Sequence, residues 1–442
     1  MGRGLEPDQT SGSLMKQKLF RDPVHNIIGW NIEDEVEARI FELISSRTVQ
    51  RLRRIRQLGF AHLVYHGAEH SRFAHSLGVV HVARRILNAL EIHDEDLRFE
   101  VLAASILHDV GHGPFSHAIE KVTGIHHETY TQRLVLDSDL TRILESVDHK
   151  MPERVARYYG PRGDFAPEHQ VFLDIVSSQL DADRLDYILR DGLTTGVKIG
   201  VYDFERILSM FEIHRDGEQT RLAVNYRARE AVEGYLIARF HMFKQVYLHK
   251  TVRSAEKMLE AVLRRAHDLL KDGHEFSAPL EAHLASLLSG SVLDAQDYVW
   301  LDDTDIWVAL KKWRDDKDPI LSELASSLLD RKLLKTIAID PNDPVFIARM
   351  VDRAEQLALK AGLDPRYFVL LDRAQDTPYK PYDPTQVSAS HIPIVTPTGV
   401  SPIEDVSDIV HLLGRDAYKV LHLCVPAPIK GQLLEFQARI QA

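Results

Sequence analysis

Histidine followed by aspartate occurs at His93-Asp94, His108-Asp109 and His267-Asp268. The first and last lie in charged or ordinary amphipathic helical sequence. His108-Asp109 differs: it follows the apolar run VLAASIL (101–107) and leads into a glycine-rich turn, all within ILHDVGHGPFSH (106–117). An imidazole and a carboxylate emerging together from a core are costly unless hydrogen-bonded or bound to a cation. Gly111, His112, Gly113 and Pro114 end the helix and let backbone approach a ligand closely. A metal bound by such a pair needs further ligands from elsewhere in the chain. SRFAHSLGV (71–79) offers His75, one turn after Arg72. QLDADRLDYILRDG (179–192) offers Asp181, Asp183, Asp186 and Asp191 on a segment too apolar to be only a solvated face. The chain has 23 histidines, eleven of them between His62 and His127. His62, His66 and His70 stand at helical spacing and can simply line a polar helix face.

Helical periodicity supplies most of the elements that must position these residues. Residues 1–16, rich in Gly, Ser and acidic groups, are expected to be a disordered leader. Strand character with a turn at Asp22-Pro23 follows over 17–32. From Glu35 to about Leu270 helices dominate, broken at Gly59, Gly67, Gly111–Pro114, Gly124 and the loop 161–169. Phe73, Leu77 and the following Val80 give the helix that begins in the 71–79 segment an inward face. A hairpin turns at Asp216-Gly217 within 204–226, and one long helix is predicted over Ala228–Asp272. After an interruption near 274–295 and one or two helices within 305–335, β-type segments appear: LKTIAI, YFVLLDRA, HIPIVTP and AYKVLHLCV, with a Pro/Asp-rich loop at 376–385. The expected fold is mainly α. A helical core over 17–275 is followed by a smaller α+β region over 276–442, which takes part in oligomerisation or regulation.

Composition narrows the function classes. Apolar content of 44% and charged content of 27% are values of a globular enzyme. A net charge of −11 argues against a general affinity for long nucleic acid. Locally, Arg47, Arg51, Arg53, Arg54 and Arg56 crowd one segment; they either pair with acidic side chains or, as the sharper expectation, meet a polyphosphate. One cysteine, Cys424, excludes an internal disulfide and suits the cytoplasm. No apolar run is long enough to span a membrane, and no signal peptide is visible.

The words RLRRIRQLG, SRFAHSLGV, LHDVGHGPFSH, HHE and DADRLDY, in this order from about Lys18 to His249, resemble the HD-domain phosphohydrolases. Within them the chain is most similar to the dNTP triphosphohydrolases, which include the animal SAM- and HD-domain enzyme and its bacterial relatives. No SAM domain is expected ahead of the HD region here. The resemblance implies metal ligands at His75, His108, Asp109 and Asp183. Two imidazoles and two carboxylates suit Mn, Fe, Zn, Ni or Co better than Ca, with Mg accompanying the triphosphate. It further implies phosphate-binding or proton-transferring roles for Arg72, His112, His117, His127, Arg184 and Arg239. His117 or His127 would protonate the leaving oxygen, with Glu120 or Glu128 fixing the tautomer. Glu120 replaces an aspartate and Arg184 a lysine of the animal enzyme. Gln57, Leu58, Tyr187, Asp191 and Tyr247 match residues around the deoxyribose, Leu58 and Tyr247 at the gate against a 2′-hydroxyl. Phe243 stands where the animal enzyme has histidine. On sequence alone Tyr247 reads as a packed helix aromatic.

The implied activity is hydrolysis of dNTP to deoxynucleoside and triphosphate. An HD nuclease or phosphodiesterase acting on short nucleic acid or a signalling nucleotide is the alternative enzyme, and a nucleotide-sensing scaffold with a structural metal is the non-enzymatic one. The resemblance also implies a homotetramer with a nucleotide effector between subunits. There Ser45, Gln50 and Arg53 match an aspartate, a glutamine and an arginine that read guanine. Ser45 supplies no carboxylate for guanine, so strict guanine choice should be relaxed.

Overall fold

The computed structural model describes residues 16–376, 379–381, 391–415 and 418–441; the side chains of His117 and Asp376 fall outside the description. The leader over 1–15 and most of the 376–385 loop lie outside the described residues as well.

The chain opens with an antiparallel hairpin, Gln17–Asp22 against Asn26–Asn31, and then becomes a helical body. Two antiparallel helices form its centre. Arg72–Ala89 starts at Ser71, whose side chain accepts from the Ala74 amide, and Glu95–Leu107 starts at Asp94, which accepts from Leu97. Every residue from Phe99 to Leu107 is buried, so this helix delivers its C-terminal His108 from inside the core. The third central element, Ala182–Thr195, is capped by Asp181 and ends at a left-handed Gly196. It packs along Arg72–Ala89, burying Leu185 and Ile188.

Gly111 fixes the turn after His108-Asp109. A Cβ there would lie 2.1 Å from the His127 carbonyl oxygen and 2.3 Å from the Thr131 nitrogen. Only glycine lets the helix His127–Leu136 lie directly against this turn.

Three expectations are corrected. The long helix over Ala228–Asp272 is two helices, Arg229–Met242 and Lys250–Lys271. A π-turn over Phe243–Tyr247 intervenes, and His249 turns extended so that its ring accepts the Thr251 amide as a cap. His62, His66 and His70 do not share a helix face, because Gly59 (φ +48°) opens a short 3₁₀ turn, Gly59–Leu63, followed by irregular chain. The C-terminal part carries more helix than its β-type segments suggest, notably Pro344–Lys360 and Ala427–Gln441.

Those two helices cover one antiparallel sheet, ordered Lys335–Ala338, Tyr418–Val425, Leu370–Asp376, and form a second core around Met350, Leu357, Leu423 and Leu433. The helices Ala282–Leu288, Asp303–Trp313 and Pro319–Leu329 pack instead into the main core, so a division at 275 separates them from the helices they pack on. Strand Pro393–Thr396 also returns to the body, pairing in parallel with Gln219–Asn225. Among the described residues no helix is long and apolar enough to cross a membrane. The fold is mainly α, with a small α+β part towards the C-terminus.

Candidate metal centre and active site

His75, on the first turn of its helix, and His108, at the end of the next, meet with Nε2 atoms 3.3 Å apart. Asp183 Oδ1 lies 2.9 Å from His75 Nε2 and 3.7 Å from His108 Nε2. Asp109 Oδ1 lies 3.3 Å from His108 Nε2, and its Oδ2 4.0 Å from His75 Nε2. Donors held at about 2.1 Å from one ion stand about 3.0 Å apart when adjacent and about 4.2 Å when opposite in octahedral geometry. His75, His108 and Asp109 bring donor atoms close enough to share one ion, with Asp183 beside both imidazoles, and two imidazole nitrogens with two carboxylates fit a divalent cation. His108 Nδ1 faces the Ser105 carbonyl oxygen at 2.8 Å, which leaves its Nε2 for the cluster. Asp186 stands on the far side of His75, 2.8 Å from Nδ1.

The electrostatics match. Burial alone would depress the pKa of His75; hydrogen bonds to Asp183 and Asp186 outweigh it and push the ring up to about 10. Burial would raise Asp109, but Arg72, His108 and His112 hold it well below the usual carboxylate range. A proton held on His75 Nε2 beside Asp183 Oδ1 would stand where a cation would bind. A raised folded pKa stabilises the metal-free fold below the ordinary imidazole value, and that stability is lost as pH climbs from about 6.5 towards 10. Metal binding must displace the proton. The apparent metal affinity should therefore fall about tenfold per pH unit from pH 9 to pH 7, with one proton released. Calorimetry in two buffers of different ionisation enthalpy checks this; binding without proton release would contradict it.

The cluster opens onto a cavity of about 550 Å³. Around Asp109 the wall is cationic and imidazole-rich. Arg72 pairs with Asp109 Oδ2 at 2.5 Å and also donates from Nε and Nη2 to Ser116 Oγ at 3.1 and 2.8 Å. His112 stands 3.3 Å from Asp109 and stacks on His127 with centroids 3.8 Å apart. Burial and the Arg72 charge keep His112 well below its usual pKa, hence neutral. Glu120 approaches His127 Nδ1 at 2.8 Å and His112 Nδ1 at 3.7 Å, so the longer glutamate arm reaches both rings. Glu128 is exposed at the rim. Arg184 lines the same side, its side chain donating to the Ser178 carbonyl.

Around Asp191 the wall is aromatic and polar. The Tyr247 hydroxyl donates to Asp191 Oδ2 at 2.7 Å, while His70 Nε2 lies 2.8 Å from Oδ1. Tyr187 meets Tyr247 edge-on, and Gln57, Leu58 and Phe243 complete this side. The break between the two long helices is what brings Phe243 and Tyr247 into the wall.

Of the expected residues, Arg239 is buried with its guanidinium 5.3 Å from the Phe243 ring centroid, and it does not line the cavity. His117 begins its helix, but its side chain is outside the described residues. Ser45, Gln50 and Arg53 lie away from the cavity. Gln50 accepts from Arg53 Nε at 2.8 Å, and Ser45 donates to Phe41 in its own helix. The arginine-rich segment is not a polyphosphate cradle as a whole. Arg51 is fully buried and donates to the carbonyls of Leu301, Val110 and His112. Arg54 pairs with Asp302 and Arg56 with Glu69. Sequence reasoning missed Tyr158, Tyr159 and Glu256 in the wall, and Ser116 with its left-handed φ of 43°. No local pattern marks the first three; SH after GPF was the only trace of the fourth.

Known proteins resemble this chain in sequence and in fold. Residues 72–187 match the HD domain model and residues 202–277 the HD associated region. The chain is 37% identical over 403 residues to protein YwfO of Bacillus subtilis (strain 168), covering 90% of this chain and 88% of that one. It is 26% identical to human deoxynucleoside triphosphate triphosphohydrolase SAMHD1, over 58% of this chain and 45% of that protein. A phosphohydrolase from Bacteroides thetaiotaomicron superposes with a TM-score of 0.77 at 29% identity, covering 93% of this chain and all of that one.

Proposed function

The chain belongs to the HD-domain phosphohydrolases, and on that premise we propose that it hydrolyses deoxynucleoside triphosphates to deoxynucleoside and triphosphate. The observation that carries this reading is the two-sided cavity. Arg72, His112, His127 and Arg184 surround the His75, His108, Asp109, Asp183 cluster, and Gln57, Leu58, Tyr187, Asp191 and Tyr247 form the opposite wall. That division suits a ligand with a polyanionic end and a nucleoside end. The SAMHD1 relatives, of which this chain spans about half, are named for action on dNTPs.

His75, His108, Asp109 and Asp183 would hold a divalent transition metal, which polarises phosphate and acidifies water at the reacting centre. The chain's own residues do the rest. Arg72 and Arg184 neutralise the phosphates, and neutral His112 hydrogen-bonds them. Water adds to the α-phosphorus and the P–O5′ bond breaks. His127, oriented by Glu120, gives its proton to the departing 5′-oxygen. His117 is the alternative donor. On the nucleoside side Asp191, pinned by Tyr247 and His70, accepts from a sugar hydroxyl, and Leu58 with Tyr247 is the gate against a 2′-hydroxyl.

The test is purified protein with each dNTP and Mn²⁺, resolving deoxynucleoside from dNMP. Deoxynucleoside with tripolyphosphate is expected. dNMP with pyrophosphate would make it a phosphodiesterase or nuclease instead; binding without turnover would make it a sensing scaffold.

We further propose a homotetramer whose effector site at Ser45, Gln50 and Arg53 lacks strict guanine choice. Ser45 offers no carboxylate to the guanine edge, and a site missing an acceptor discriminates less. Light scattering should give four subunits, and dNTPase rates should rise equally with GTP and other nucleoside triphosphates, or need none. A monomer, or activation by guanine nucleotides alone, would contradict this.

A further inference from the structure

The N-terminal hairpin touches the back of the metal cluster. His75 can ligate through Nε2 only if its Nδ1 carries the proton, and the acceptor for that proton is Asp186 Oδ2 at 2.8 Å. Three further donors surround the same carboxylate. His25, in the turn of the hairpin, brings Nε2 to 2.7 Å from Oδ1. Arg190 donates Nε to Oδ2 at 2.8 Å and Nη2 to Oδ1 at 2.9 Å. A carboxylate has about four lone-pair sites, so all are taken and each histidine must present an N–H to it. Arg190 in turn donates Nη1 to Asp22 Oδ2 at 2.8 Å, and Asp22 Oδ1 accepts the backbone amides of Val24 and His25, both at 2.9 Å. The side chains of His25 and Asp186 are 3% and 0% exposed. Gly78 makes the room: a Cβ there would fall 1.9 Å from Asp186 Oδ1 and 2.4 Å from Arg190 Nη2.

We propose that this hairpin is the outer wall of the metal centre, with Asp186, His25, Arg190 and Asp22 as positioning residues that fix His75 as an Nε2 ligand. Two carboxylates against one guanidinium leave a net negative charge behind His75, which strengthens it as a donor. Metal affinity is thereby set in part by a hairpin remote in sequence from Asp186, 161 residues in the case of His25. This rests on the assignment of His75 as a ligand, and the test separates the two claims.

Calorimetric Mn²⁺ and Co²⁺ titration of the metal-depleted full-length protein is paired with its melting temperature and with the visible spectrum of the Co²⁺ form. His75→Ala should lose binding; if it binds like the parent, or the parent binds nothing, the ligand assignment fails. Asp186→Asn, which puts an amide where two donors point, should weaken binding roughly 10–100-fold. His25→Ala should weaken it about tenfold, and His25→Gln, whose amide N–H reaches the same oxygen, should recover most of the loss. The Co²⁺ spectrum should change in Asp186→Asn and His25→Ala and return in His25→Gln. If His75→Ala loses binding but Asp186→Asn and His25→Ala lower only the melting temperature, leaving affinity and spectrum unchanged, the hairpin is merely structural and the proposal is overturned. Should Asp186→Asn fail to fold, the His25 pair decides alone.

Discussion

Asp109→Asn should stay folded and lose turnover by at least about a thousandfold. Asparagine keeps the volume and an oxygen that can still accept from Arg72 Nη1, so the buried guanidinium keeps a partner, as it does at Ser116. What disappears is the negative charge shared by the metal cluster, Arg72 and His112. The loss should appear in kcat and in metal content alike. Circular dichroism and a melting curve check the fold, and steady-state rates with supplied Mn²⁺ check the chemistry. A variant with near-normal turnover would remove Asp109 from the site.

The second large effect is expected at His127. His127→Ala should lower kcat by about 10²–10⁴ with a smaller change in KM, the range for a positioned proton donor. Glu120→Gln should fall in between, since a glutamine leaves the His127 Nδ1 proton without its carboxylate. The discriminating substrate is a nitrophenyl ester of triphosphate, whose leaving group needs no proton. The His127→Ala loss should shrink on it. An equal loss on both substrates would mean that His127 only binds phosphate, and would move the donor role to His117.

How much of this was legible depended on whether the relevant contact was local. His108-Asp109 could be singled out because burial is written next to it, in VLAASIL and in the glycines that follow. The carboxylates of 179–192 were visible as a group, but their roles were not, because a helix sorts them by angle. Asp183, Tyr187 and Asp191 follow one another at four-residue steps and line the cavity, whereas Asp186 and Arg190, on another stripe, turn to the back of His75. Asp181 stays at the cap, pushed up to about 6 by burial. Asp22 and His25 read only as strand and turn, since their partners, Arg190 and Asp186, lie 168 and 161 residues on. The arginines around Arg51 looked like anion ligands because charge is local, while the carbonyls that consume Arg51 are not. The break at 243–249 carries no glycine or proline, so periodicity ran through it.

The central claim is that water attacks the α-phosphorus and the whole triphosphate leaves. Hydrolysis of a dNTP in water labelled with heavy oxygen, with both products analysed by mass spectrometry, tests it most directly. The expected result is one heavy oxygen in the tripolyphosphate and none in the deoxynucleoside. Label on the deoxynucleoside 5′-hydroxyl, or release of labelled orthophosphate or labelled dNMP as the first product, would contradict it.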